Sequence, residues 1–270
     1  MKKKLWISLV LILLIVVLAG GFYGGYRLIR HENKQKQQIQ DLQVSLKKLA
    51  AENDALSRTE TNWGLDSYNY FAIGNSITVH RICDFWWNEV GMAASDAEHD
   101  YFHQVLSHLN RTHSKVKGEA FYFLDWEINS EDRNGVLDEL DAFLSPRLDL
   151  VTIQLGENVT NTGTYETDFV SLINYVKAKA PFARIVVIGD FWSNGDRNQM
   201  KINAVTATGV EFVSLEGITD NEAYYCGLGT TVYDADGKTH IVEHDGVADH
   251  PGDNGMKEIA DRIIKVLTSE

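Results

Sequence analysis

The chain has 270 residues, 44% of them hydrophobic, which is enough for one domain with its own core plus an accessory segment. Its net charge of −13 is uneven: residues 1–60 carry ten Lys/Arg and five Asp/Glu, whereas residues 61–270 carry fifteen and thirty-three. So acidic a domain repels phosphate backbones, which excludes nucleic acid as a partner; the surplus serves solubility and is compatible with a neutral substrate.

Residues 1–4 form a short basic tail, with Lys2, Lys3 and Lys4. Leu5 to Tyr26 then runs 22 residues without a charge. A helix of that length reaches roughly 33 Å, enough to cross the hydrocarbon core of a bilayer. Trp6, Tyr23 and Tyr26 stand near its ends, where amphipathic rings favour the interface. The expectation is a single-pass transmembrane helix over residues 5–26, in the cell membrane. Val17 and Ala19 also fit a signal-peptide cleavage site, although the apolar run continues past them. No cysteine follows Ala19-Gly20, so a lipoprotein anchor is not expected. Arg27, Arg30, Lys34 and Lys36 weaken the positive-inside bias. A short N-tail before a large domain suggests an uncleaved signal anchor with the domain on the extracytoplasmic side.

Residues 27–60 are polar and helix-favouring, and read as a coiled-coil-like stalk. Ile39, Leu42, Leu46, Leu49, Asn53 and Leu56 follow a 3, 4, 3, 4, 3 spacing. That is a heptad seam with Asn53 at an a-type position, which favours a two-stranded coil and a parallel homodimer. A single amphipathic helix lying on the domain or the membrane has the same pattern.

Residues 61–270 read as one α/β domain. Strands are expected at 68–73, 120–124, 148–155, 183–189 and 210–215. Helices are expected at 101–113, 134–144, 165–180, 198–208 and 253–267. This alternation implies right-handed βαβ units around a parallel sheet buried on both faces. Residues 223–246 break the rhythm. There Val232–Tyr233 and His240–Val242 flank Asp236-Gly237, a hairpin signal in a loop near the C-terminal edge of the sheet. Cys83 and Cys226 have no metal-type spacing, and neither a metal nor a cofactor is implied; whether the two pair is open.

Three segments fall after predicted strands or before the last helix. Gly74-Asn75-Ser76-Ile77 ends the first strand, and a helix read after it would set the Ser76 hydroxyl among unpaired backbone N–H groups. Such a serine suits a nucleophile, or merely an N-cap. Gly156-Glu157-Asn158 ends the third strand, where the Asn158 amide is a candidate oxyanion donor or a turn cap. Asp249-His250-Pro251 precedes the last helix, and His250 is a candidate general base for Ser76.

The ordered set resembles the conserved blocks of the SGNH/GDSL hydrolases. Gly74-Asn75-Ser76 is similar to their Gly-Asp-Ser block, Gly156-Glu157-Asn158 to their Gly-x-Asn block, and His250-Pro251 with Gly255-Met256 to their C-terminal block. The resemblance covers about residues 68–268. It implies a flavodoxin-like three-layer α/β/α sandwich with a five-stranded parallel sheet, and ester hydrolysis, often removal of acetyl from carbohydrate. Carried over, Ser76 is the nucleophile, the Ser76 N–H and Asn158 form part of the oxyanion hole, and His250 is the base. The implied partner is an acylated carbohydrate substrate. A glycan O-acetyltransferase using the same site, and a non-catalytic binding or assembly domain, are the alternatives.

Two departures stand out. The family's second block supplies a Gly, but Phe121 to Glu127 contains none; a backbone N–H from Asp125 or Trp126 is the expected substitute. The family also places an Asp three residues before the His, and here that residue is Val247. Either a backbone carbonyl orients His250 in a Ser–His dyad, or Asp245 or Asp249 does so. Phe85, Trp86, Trp87, Trp126 and Trp192 are candidates for stacking on sugar rings, with core packing as the plainer reading. His80, one turn beyond Ser76, is a further candidate for the cleft.

Overall fold

The computed structural model describes residues 34–36, 38, 39, 42, 61, 63–192 and 194–269. The chain divides into two units after Asn53. In the first, the described residues are helical, and Ile39 and Leu42 of the seam are exposed. The expected transmembrane helix and the rest of the stalk lie outside the described residues. Among the described residues, no helix is long and apolar enough to cross a membrane.

The second unit follows strand β1 (Tyr68–Gly74), helix α1 (Tyr101–Thr112), β2 (Val116–Tyr122), the one-turn helix α2 (Leu124–Ile128) and a 3-10 helix (Arg133–Ala142). Then come β3 (Leu150–Gln154), α3 (Tyr165–Lys179), β4 (Arg184–Ile188), α4 (Gly195–Thr208) and β5 (Glu211–Val213). A hairpin of β6 (Thr231–Tyr233) and β7 (Thr239–Ile241), the short helix α5 (Asp245–Ala248) and α6 (Asp253–Thr268) complete it. Strands β1–β5 form one parallel sheet in the order β2-β1-β3-β4-β5. That is the flavodoxin-like order, whose switch point lies between β1 and β3.

The sheet is buried on both faces, which explains the continuous apolar runs in β1 and β3. Phe71, Ile73, Val151 and Ile153 pack on one face against Phe169 and Ile173 of α3 and Ala204 of α4. Tyr70, Ala72, Leu150 and Val186 pack on the other against Val105 of α1 and Ile259 and Ile263 of α6. The three-layer sandwich is therefore the expected one.

Three local expectations change. Strand β2 begins at Val116, four residues before the predicted start, because an edge strand half open to solvent tolerates Lys117 and Glu119. The predicted helix at 134–144 is a 3-10 helix, opened by Asp132, whose side chain accepts from the Gly135 N–H. No helix follows Ser76. Asn75 Oδ1 accepts the Ile77 N–H at 3.1 Å, and the Asn75 carbonyl accepts from Thr78 and Val79, so a tight turn replaces it. The chain then runs on outside any helix or strand, with His80 N–H donating to Val90 O at 2.9 Å.

A third cluster joins Trp86, Val90 and Met92 to Val232 and Val242 of the hairpin region and to Val247 of α5. It braces the Ser76 loop and the His250 loop against each other. Met92 N–H donates to Ser76 O at 2.7 Å on one side, and Cys226 N–H to His250 O at 2.9 Å on the other. Cys83 and Cys226 are free thiols, half-buried at the edge of this cluster.

Candidate active site

The parallel sheet brings the ends of β1 and β3 side by side, with Gly74 paired to Gln154. Gly74 allows the turn to fold back tightly, since a Cβ there would lie 1.8 Å from Thr78 Oγ1. Ser76 sits at the top of that turn. Among the described residues no protein acceptor takes its backbone N–H.

Ser76 Oγ lies 2.8 Å from His250 Nε2. His250 Nδ1 lies 2.6 Å from the carbonyl oxygen of Gly246. A carbonyl can only accept, so Nδ1 carries the proton and the Nε2 lone pair faces the Ser76 hydroxyl. Burial pushes the His250 pKa down to about 4, with the Gly246 hydrogen bond opposing that shift. The ring is therefore neutral near pH 7 and able to accept a proton from Ser76. Trp192 meets it edge-on, with ring centroids 4.9 Å apart at 86°.

The Gly246 carbonyl is available for a local reason. Asp249 N–H closes an α-turn onto Asp245 O, but His250 N–H turns instead to Val247 O at 3.0 Å. The last turn of α5 thus leaves the Gly246 oxygen free of the backbone, and the His250 side chain fills the vacancy. Asp245 and Asp249 are both exposed, and neither hydrogen-bonds to the ring.

Asn158 is exposed beyond the end of β3, and its Nδ2 donates to Glu127 Oε2 at 2.7 Å. Glu127 is buried on α2, where its Oε1 also accepts from Asn75 Nδ2 at 3.1 Å and from the Gly156 N–H. Burial raises the pKa of Glu127, while the bonds from Asn158, Gly156 and Asn75 lower it. Asn75 Nδ2 also donates to Glu157 Oε2 at 2.8 Å, and Glu157 Oε1 accepts from Gln154 Nε2 and the Phe191 N–H. Burial first, and then the charge of Asp190, pushes the Glu157 pKa up to about 7. Asp190 is itself buried and paired with Lys201 at 2.5 Å and Arg197 at 2.7 Å.

Ser76 and His250, the first predicted pair, are thus in contact, and Asn158 is linked to the Ser76 turn through Glu127 and Asn75. The helix N-terminus expected beside Ser76 is absent. Trp86 and Trp126 are core residues, and Trp87 stacks on His240. Phe85, which stacks on His244, and Trp192 are the aromatic candidates that remain near the His250 loop. His80 packs on Tyr122, close enough for its charge to lower the proton affinity of His250. Glu127 was the least visible member. Its one sequence signal is an acid that, like Asp125, interrupts the apolar run after β2. No metal-binding group of His, Cys, Asp or Glu occurs among the described residues.

No family model matches the chain, and no curated protein matches its sequence. Solved structures do resemble it. A two-domain esterase active on acetylated mannans superposes with a TM-score of 0.50 at 16% identity, over 83% of this chain and 53% of its own. A structure of such an esterase co-crystallized with mannopentaose gives 0.50 and 17%, over 82% and 52%. An extracellular lipase from Streptomyces rimosus gives 0.47 and 14%, over 74% and 99%. The chain spans about half the length of the mannan esterases it matches. The second unit has the α/β fold of these mannan esterases.

Proposed function

We propose that this chain is a serine carboxylic-ester hydrolase of the SGNH/GDSL type that removes acyl groups, acetyl above all, from a carbohydrate. One observation carries the reading: the Ser76 hydroxyl faces a neutral His250 Nε2 at 2.8 Å, with the tautomer fixed by Gly246. Ser76 Oγ attacks the ester carbonyl while its proton passes to Nε2. The tetrahedral oxyanion is held by the Ser76 N–H and the Asn158 amide. Imidazolium returns the proton to the departing sugar oxygen, which leaves an acyl-enzyme. Water then attacks with His250 again as base, and the acid and free Ser76 are released.

The carbohydrate substrate rests on the likeness to esterases active on acetylated mannans and on the aromatic rings near the His250 loop. Membrane anchorage through residues 5–26, with the catalytic domain extracytoplasmic, rests on the uncharged run and its flanks, and a parallel dimer on the stalk seam. The test is labelling with a fluorophosphonate and assay on p-nitrophenyl acetate and acetylated mannan. The expected result is label on Ser76, with hydrolysis reduced about 10⁴-fold or more in Ser76→Ala. Hydrolysis unchanged in that variant would overturn the reading.

A further inference from the structure

Glu127 is a charged side chain only 1% exposed, and it has no place in the reaction just described. Burying a carboxylate is costly unless donors surround it. Here three donors converge on it, from Asn75, Gly156 and Asn158, and the two side-chain amides among them belong to the loops after β1 and β3. The one-turn helix α2 carries the carboxylate that joins the two loops.

We infer that Glu127 is a positioning residue for the oxyanion site, acting through Asn158 and Asn75. An amide group is planar, so a hydrogen bond that fixes one N–H of Asn158 also fixes the direction of the other. Without that bond, the exposed Asn158 side chain is free to rotate, and a donor aimed at random stabilises little. The second bond acts on the nucleophile. Asn75 Nδ2 is gripped by Glu127 and Glu157, while its Oδ1 holds the Ile77 N–H, so the turn that presents the Ser76 N–H is clamped from below. Gln is a poor substitute for Glu127, because its own NH₂ would face one of three donors.

This inference rests on the hydrolase reading for its catalytic consequence, but not for its structural one. The experiment uses the full chain with Glu127→Gln, Asn158→Ala and the double variant. Two quantities are read: kcat and KM on p-nitrophenyl acetate, and the ¹⁵N side-chain amide signals of Asn158, identified by their loss in Asn158→Ala. Glu127→Gln is expected to lower kcat about 10- to 100-fold with KM within about twofold. In the Asn158→Ala background the same change is expected to cost several-fold less than in the parent, because one of its two routes is already removed and only the bond to Asn75 remains to be lost. The Asn158 amide protons are expected to shift and exchange faster in Glu127→Gln. Glu127→Asp keeps the charge but withdraws it by one methylene; it shows the same pattern, weakened, and keeps the test usable where Gln harms the fold. Equal losses in both backgrounds, or an unmoved Asn158 amide, would overturn the inference. An amide that moves in a chain with no esterase activity and no Ser76 label supports Glu127 as the holder of Asn158 and rejects the hydrolase reading alone.

Discussion

The imidazole of His250 is hydrogen-bonded through Nδ1 to the carbonyl of Gly246, four residues earlier, at 2.6 Å. A backbone dipole therefore stands where a serine triad has a carboxylate. It fixes the tautomer but brings no full charge to stabilise imidazolium.

The first consequence concerns the flanking acids. Asp245→Asn and Asp249→Asn are each expected to leave kcat/KM on p-nitrophenyl acetate within about threefold of the parent, against the roughly 10⁴-fold loss seen when a true triad carboxylate is neutralised. A loss of the larger size in either variant would place that aspartate against the ring.

Installing the family's aspartate should not rebuild a triad. Val247 is 1% exposed and packs in the cluster with Trp86 and Val242. Val247→Asp buries a charge with no partner, and is expected to cost about 3–5 kcal/mol of stability. Urea denaturation of the two proteins measures it.

The pH profile follows from the same ring. With a His250 pKa of about 4, the base is neutral over the whole range above it. The kcat/KM of the free enzyme is expected to be level from about pH 5 to neutrality and to fall below about pH 4, tenfold per unit. Trp192→Ala uncovers the ring, weakens the burial that depresses it, and moves this limb upward. The stability contribution has a definite sign. The folded value lies below the ordinary 6.5, so the unfolded chain takes the proton more readily. The contribution is intact above about pH 6.5 and is lost as the pH falls towards 4.

Glu157 acts in the opposite sense. Its pKa is raised from 4.5 to about 7, so the folded chain holds the proton more tightly and stability declines as the pH rises between those values. Glu157→Gln is expected to flatten that decline in a series of thermal melts from pH 4.5 to 7. A decline of unchanged slope would assign it to another group.

Gly156 stands at φ +147°, and a Cβ there would lie 2.5 Å from Asp190 Oδ1 and 2.7 Å from Tyr165 Oη. Gly156→Ala combines backbone strain with a clash inside a buried ion pair, and is expected to cost about 2–4 kcal/mol. Chemical denaturation midpoints test it.

Much of the fold was legible in the chain itself. Apolar runs such as Leu150–Gln154 read as buried strands because both of their faces are covered. Strand β2 was half hidden, because one open side lets Lys117 and Glu119 interrupt its pattern. The helix read after Ser76 failed for a local reason: propensity does not register that Asn75 will spend its side chain and its carbonyl on three N–H groups of the following turn.

Sequence alone determined the succession of the main strands and helices and the parallel sheet, since periodicity is a local property, while Ser76, Asn158 and His250 were singled out by the resemblance of their segments to the SGNH/GDSL blocks. Only the tertiary structure decided what surrounds them. Glu127 reaches Asn158 from 31 residues away and Asn75 from 52, and no spacing rule links them. The partner of His250 is a main-chain oxygen, a group that every residue carries and no side chain announces. Its role emerges when α5 ends in a turn that leaves that oxygen free.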